Sequence, residues 1–235
     1  MTTCSIKVVT FDLDDTLWAV GPVILEAEKA LWGWLKENCP QMAARYDRER
    51  LMPIRAAILE EQPGLEHDIS ALRIEILTRG LEASGFAPPA ARENAEAAFE
   101  VFMHMRHKVD YFADVFSVLE QLKARFQLGA ISNGNADVSR LEVGRYFEFA
   151  SSAASVGISK PAPQPFEAAL AAAECSPGQM VHVGDHHEHD VAGAQRLGIH
   201  TVWVNPTGKP FPGDKPASAE ISSLSQLPDA VEALS

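Results

Sequence analysis

Ile6-Lys7-Val8-Val9-Thr10-Phe11-Asp12-Leu13-Asp14-Asp15-Thr16 begins as a short, β-branched, apolar run and stops in a cluster of three carboxylates. A run that is apolar on both faces suits a strand buried on both, the condition of a parallel sheet covered by helices. The acids then lie in the loop at the strand's carboxyl end, where open α/β sheets place their sites. Asp12 and Asp14 stand two apart, so the turn beyond the strand can bring both to one crevice. One carboxylate can attack as a covalent nucleophile while the other handles protons, which divides one high barrier into two lower ones. Capping the turn would need one acid, not three.

Outward from this strand the pattern changes twice. From Pro22 to about Lys108 the apolar residues keep helical spacing: Ile24, Leu25, Leu31 and Leu35 behind Pro22, Ile69, Leu72, Ile76 and Leu77 behind Ser70 with Gly85 as a stop, then Ala95, Ala98, Phe99 and Phe102. After Phe112 strands and helices alternate. The spacing predicts helices at Val115 to Leu122, Val138 to Tyr146, Phe166 to Glu174, Asp190 to Leu197 and near Ala230. It predicts strands at Leu128 to Ile131, Phe149 to Ala153, Met180 to Val183, Thr201 to Val204 and near Ile221. Such alternation specifies a right-handed, doubly wound α/β core. The expected organisation is a core from residues 1–19 and 109–235, interrupted by a helical insertion at 20–108.

The chain has 235 residues, with 46% hydrophobic and 22% charged, close to the globular average and unlike disordered, collagenous or coiled-coil chains. Twenty Lys and Arg against 32 Asp and Glu give a net charge of −12, which disfavours nucleic acid because phosphate-backbone binding needs clustered positive charge. An anionic small molecule would need a few local cations or a bound metal. Cys4, Cys39 and Cys175 are odd in number, far apart and without a CxxC, as expected in a reducing compartment. Apolar runs are too short for a signal segment or a membrane span, so we expect a cytoplasmic protein.

Four polar loops follow four expected strands. Besides Asp12-Leu13-Asp14-Asp15-Thr16, Ser132-Asn133 offers a hydroxyl, an amide and exposed backbone N–H groups to phosphoryl oxygens, although Ser-Asn-Gly is also an ordinary turn. Lys160 in Ser159-Lys160-Pro161 can place a cation against them. Asp185 follows the strand Met180 to Val183, and Asp190 stands five residues on, where it can also cap the next helix; their oxygens suit Mg²⁺. His182, His186, His187 and His189 invite a zinc reading, but His182 lies inside a strand and the other conspicuous ligands are carboxylates. They read as loop histidines with a possible substrate contact.

In order and spacing, Phe11-Asp12-Leu13-Asp14-Asp15-Thr16-Leu17, Ile131-Ser132-Asn133-Gly134-Asn135, Ser159-Lys160-Pro161 and Val183-Gly184-Asp185 with Asp190 resemble the four motifs of the haloacid dehalogenase-like (HAD) hydrolase superfamily. The resemblance implies a Rossmann-like core with the helical block as a cap domain, and a Mg²⁺-dependent phosphatase that works through an aspartyl phosphate on small phosphate esters. It makes Asp12 the nucleophile, Asp14 the general acid/base, Ser132 and Asn133 phosphate binders, Lys160 the charge stabiliser and Asp185 a metal ligand supported by Asp190. Magnesium also takes the side chain of Asp12 and the backbone carbonyl of Asp14. Phe11 through Pro22-Val23-Ile24-Leu25, Ser132-Asn133-Gly134-Asn135 and Tyr146-Phe147-Glu148-Phe149 look like the bacterial FMN phosphatases of riboflavin biosynthesis, which also act on 5-amino-6-(5-phospho-D-ribitylamino)uracil. For such a flat ring, Trp18, Trp32 and Trp34 are the available aromatic walls. His186 departs from the Ser or Asp usual after the metal-binding Asp. Phosphoglycolate, nucleotides and sugar phosphates are alternative substrates. A 2-haloacid dehalogenase shares the nucleophile but has no use for Asp14.

Overall fold

The structure, a computed structural model, describes residues 5–235, so Cys4 lies outside the described residues; Cys39 and Cys175 are free thiols. The chain divides into two compact units, Met1–Ala19 with Asp110–Ser235, and Val20–Val109. No helix among the described residues is long and apolar enough to cross a membrane.

Strand β1, Val8–Phe11, is buried along its whole length. The chain then enters the helical unit: α1 (Val20–Asn38), α2 (Pro40–Arg45), α3 (Met52–Glu61), α4 (Ile69–Ala83) and α5 (Pro88–Arg106). On α1 the buried residues are Val23, Ala27, Leu31 and Leu35, a four-residue spacing that lays one apolar stripe along the helix. The stripe packs with α5, where the small side chains of Ala91, Ala95 and Ala98 let the helices approach closely and Phe102 joins the same core. Each leucine in this core is worth about 2–5 kcal/mol against truncation to alanine. The start of α4 lies earlier than Ser70 suggests, because the Asp68 carboxylate accepts the Ala71 N–H at 2.9 Å and supplies the cap. Its end comes as expected, with Gly85 at φ +99°.

The second unit is a sheet whose six strands are all parallel: β1, β2 (Gln127–Ser132), β3 (Phe149–Ser152), β4 (Met180–Gly184), β5 (His200–Val204) and β6 (Ala219–Ile221), in the spatial order β3-β2-β1-β4-β5-β6. This is the doubly wound core that the alternation predicts, with the Rossmann-like build that the family resemblance implies. β1 is central, with Phe11 in register with Ala130 on one side and Val183 on the other. The strand order therefore reverses beside β1, and a crevice opens at the carboxyl ends of β1, β2 and β4.

Two expected helices differ. Val138 to Tyr146 is not one helix but two short 3₁₀ turns, Val138–Arg140 and Glu142–Tyr146, because Leu141 between them is extended. Asp190 to Leu197 begins earlier, as a wide π-type turn at His187–Ala192 that leads into Gly193–Gln195. His186 caps that turn: its Nδ1 accepts the N–H groups of Glu188 and His189, each at 3.2 Å. The Asp190 carboxylate is thereby left to face the crevice.

Candidate active site

Asp12 is the first residue past β1, and its N–H still donates to the Val183 carbonyl at 2.8 Å. That bond fixes its Cα at the sheet's edge with the carboxylate buried. The chain then turns within a few residues. Asp15 takes φ +59°, a left-handed conformation that aspartate tolerates, and Leu17 N–H closes onto the Leu13 carbonyl at 2.8 Å. This turn carries Asp14 to the half-buried rim, where its Oδ1 accepts the Trp18 indole N–H at 2.9 Å. Trp18 is fully buried and stacks edge-on against Tyr111 at 5.7 Å. It anchors the acid and is not an exposed aromatic wall.

Lys160 is the hub of the site. Its side chain is 1% exposed, and Nζ donates to Asp12 Oδ1 at 2.8 Å, Asp190 Oδ1 at 2.6 Å and the Ile131 carbonyl at 2.7 Å. An ammonium has three donors, so all three are engaged. The lysine backbone is held as firmly: Asn133 Nδ2 donates to the Lys160 carbonyl at 2.9 Å, and Lys160 N–H donates to Asn133 Oδ1 at 2.8 Å. Sequence reasoning assigned the Asn133 amide to phosphate; in the structure both of its ends hold Lys160. Ser132 is buried beside it, and its Oγ accepts the Gly134 N–H at 3.0 Å.

Asp190 is oriented from two more sides. It accepts the His186 N–H on Oδ2 at 3.0 Å, and its Oδ1 lies 3.1 Å from His182 Nε2. His182 is fully buried, with Nδ1 3.0 Å from the Thr10 hydroxyl. A connected polar chain therefore runs Thr10, His182, Asp190, Lys160, Asp12. Sequence reading left Thr10 and His182 out of the site, yet a signal was available: a polar side chain between Val181 and Val183 in a strand buried on both faces must find a partner. Gly184 completes the fit, because a Cβ there would stand 2.3 Å from Asp190 Cγ.

Asp12, Asp185 and Asp190 each bring one oxygen to within 4.8 Å of the others. Asp185 follows β4, and its backbone carbonyl accepts the Trp203 indole N–H at 2.7 Å. Burial, reinforced by Asp190 and Asp15, pushes the Asp185 carboxyl up to about 6. Burial also raises Asp12, with Lys160 opposing and Asp190 and Asp185 reinforcing. Asp190 stays below the ordinary carboxylate range, since the Lys160 charge and the His182 hydrogen bond outweigh the effect of burial. Three carboxylates against one ammonium leave two negative charges, and the donor set is all oxygen. That combination fits a hard divalent cation such as Mg²⁺. The Asp14 carboxylate is not part of this cluster.

The loop imidazoles form no such group. His186 stacks on His189 with ring centroids 3.9 Å apart and on His187 at 5.1 Å, the ring planes nearly parallel in both cases, so the rings lie face to face rather than aiming nitrogens at one point. Trp32 and Trp34 pack against the core of the helical unit.

Comparison with known proteins agrees with this geometry. A family model described as haloacid dehalogenase-like hydrolase matches residues 6–198. The chain is 33% identical over 201 residues to the Escherichia coli (strain K12) protein named 5-amino-6-(5-phospho-D-ribitylamino)uracil phosphatase YigB, covering 86% of this chain and 84% of that one. It is 30% identical over 224 residues to the phosphoserine phosphatase of Thermus thermophilus, covering 85% and 88%. A crystal structure described as 2-haloacid dehalogenase from Pseudomonas syringae pv. Tomato DC3000 superposes with a TM-score of 0.96 at 46% identity, over 98% of this chain and all of the other.

Proposed function

This chain belongs to the haloacid dehalogenase-like hydrolase family, and from that premise we propose that it is a Mg²⁺-dependent phosphatase of small phosphomonoesters. The observation that carries the reading is the pairing of two carboxylates with different surroundings on one turn: Asp12 buried against Lys160, Asp14 at the rim on Trp18. In the first step an Asp12 oxygen bonds to phosphorus as the bond to the leaving oxygen breaks, and Asp14 gives that oxygen its proton. In the second, water attacks phosphorus, its proton passes to Asp14, and the bond to Asp12 breaks to release inorganic phosphate. Lys160 balances charge on the equatorial oxygens, and the β2 end at Ser132 presents a hydroxyl and backbone N–H groups to them. When held by Asp12 and Asp185, with the Asp14 backbone carbonyl and Asp190 in support, Mg²⁺ supplies divalent positive charge there.

As substrate we favour 5-amino-6-(5-phospho-D-ribitylamino)uracil, supported by the likeness to YigB over most of both chains, or FMN, which rests on the motif resemblance alone. The 46% identity to a protein described as a 2-haloacid dehalogenase supports a second reading. Chemistry separates the two. Halide is a weak base and departs without a proton, whereas an alkoxide requires one, which gives Asp14 a task only in the phosphatase. The test measures phosphate release from FMN, phosphoserine and glucose 6-phosphate, and chloride release from 2-chloropropionate, with Mg²⁺ and with EDTA. We expect Mg²⁺-dependent phosphate release, with kcat/KM highest for FMN. Chloride release without any phosphate release would overturn the proposal, and a phosphoserine advantage above about tenfold, roughly 1.4 kcal/mol, would overturn the flavin-pathway substrate alone.

A further inference from the structure

We infer that the helical unit contains a second ligand site, a cleft that takes a small organic anion with a flat or apolar body. The cleft, about 460 Å³, lies among α1, α3 and α4 and includes none of the residues assigned to phosphoryl transfer. Its size falls within the range of small-molecule sites, about 300–1,000 Å³.

The charge pattern indicates an anion. Three guanidiniums line the cleft, Arg48, Arg55 and Arg73, against one carboxylate, Glu28. Arg73 donates to Glu28 at 2.6 Å and lies over the Phe102 ring at 4.0 Å, so both members of that pair are engaged. Among the described residues the guanidiniums of Arg48 and Arg55 bond no carboxylate or carbonyl, and only the Arg55 backbone N–H is engaged, on the Leu51 carbonyl at 3.0 Å. Elsewhere in the unit Lys29, Arg50, Arg79 and Arg92 each sit against a carboxylate. At this cleft two guanidiniums without a carboxylate stand together, in a chain of net charge −12. A guanidinium presents planar, forked donors that match a carboxylate, sulfonate or phosphate, and it also stacks on flat rings.

The apolar surface indicates the body of the ligand. Leu31, Leu51 and Leu72 are buried at the cleft, and half-buried Trp32 offers an indole face. Met52 is 50% exposed and Ile69 40%, two of the four exposed large hydrophobics among the described residues, and both line this cleft. An apolar wall with a few charged donors is the usual make-up of a small-molecule site. Three guanidiniums and one carboxylate already paired to Arg73 do not suit a metal ion.

The proposal stands apart from the phosphatase reading, and its test uses a probe without phosphorus. We would titrate the full chain with 1-naphthalenesulfonate by calorimetry, in phosphate-free buffer, alongside uncharged 1-naphthalenemethanol. We expect saturable one-to-one binding of the sulfonate, at least about tenfold weaker binding of the alcohol, and a loss of about tenfold or more in an Arg48→Gln/Arg55→Gln variant. An Arg50→Gln/Arg92→Gln variant should keep the affinity. No saturable binding below roughly millimolar concentrations, equal affinity for the neutral probe, or undiminished affinity in the Arg48/Arg55 variant would each overturn the site.

Discussion

Replacing Lys160 with methionine keeps most of the aliphatic stem and deletes the charge at the centre of the site. In the native protein the ammonium is 1% exposed and bridges Asp12 and Asp190 at 2.8 and 2.6 Å. Its loss leaves two buried carboxylates without their counter-charge, a change that typically costs about 3–5 kcal/mol. For a chain of this length each kcal/mol lowers Tm by about 2–4 °C, so the variant should melt about 6–20 °C lower at neutral pH. The pH dependence has a definite sign. Asp190 is held below its unfolded value of 3.8 by Lys160 and His182 against burial, so it contributes stability that is present above that value and lost as pH falls through the folded one. Without the ammonium, Asp12 and Asp190 rise and protonate more readily, and the deficit should shrink on acidification. Thermal melts followed by circular dichroism, in EDTA at about pH 5 and pH 7.5, measure both effects. A drop smaller than about 3 °C at pH 7.5, or a larger drop at pH 5 than at pH 7.5, would show that the buried ion network does not hold this site together. Phosphate release should fall in the same variant by about 10²–10³, the scale of losing one preorganised charge stabiliser.

Asp12→Asn should abolish turnover, by about 10³ or more in kcat, while a thermal melt shows the fold intact; retention of a tenth of the rate would exclude covalent catalysis. Asp14→Asn should lose most for poor leaving groups, so its activity on an alkyl phosphate falls further than on p-nitrophenyl phosphate, and equal losses would remove proton donation from the mechanism. The metal prediction follows from Asp185, raised from 3.8 to about 6 by burial and its acidic neighbours. The folded protein binds the extra proton across that window, so the metal-free form loses stability as pH rises through it, by roughly 3 kcal/mol at most at 1.36 kcal/mol per pH unit. Mg²⁺ should cancel that loss, and its stabilising increment in Tm should grow between about pH 5 and pH 7.5; an increment independent of pH would place the cation elsewhere.

β1, β2, β4 and β5 were legible because each is a short, largely apolar run, and burial on both faces leaves little else such a run can be; β3 (FASS) and β6 (AEI) at the sheet edges are only partly buried and carry a weaker signal. β1 and β4 also announced the crevice, since Asp12 and Asp185 interrupt the apolar pattern where a strand must end. Less legible were segments whose geometry is set by side chains from distant parts of the chain. The turn at His187–Ala192 widens because His186 caps it and Asp190 is drawn to Lys160, 30 residues away in sequence. The Asn133 contacts were hidden for the same reason: nothing in the sequence says that its amide lies against the Lys160 backbone, 27 residues away. His182 was read as a strand histidine, which it is, but its partners Thr10 and Asp190 sit on different elements that only the parallel register of β1 with β4 brings together.

Trp18 shows how this affects function. As a tryptophan near the first motif it looked available to a flat substrate ring, but its indole N–H is committed to Asp14 and its rings to Tyr111. Tyr111 in turn packs edge-on against Phe116 at 4.9 Å, so Asp14, the proposed acid/base group, rests on a chain of aromatic rings inside the sheet unit. A nucleophile that needs only to displace a weakly basic halide would gain nothing from a second carboxyl anchored in this way. For an alkoxide leaving group the gain is direct, because the proton must arrive as the bond breaks, from a carboxyl already oriented toward it. The proposed assignment to phosphate esters therefore leans on the Asp14–Trp18 hydrogen bond more than on the Asp12–Lys160 pair, which would serve either chemistry.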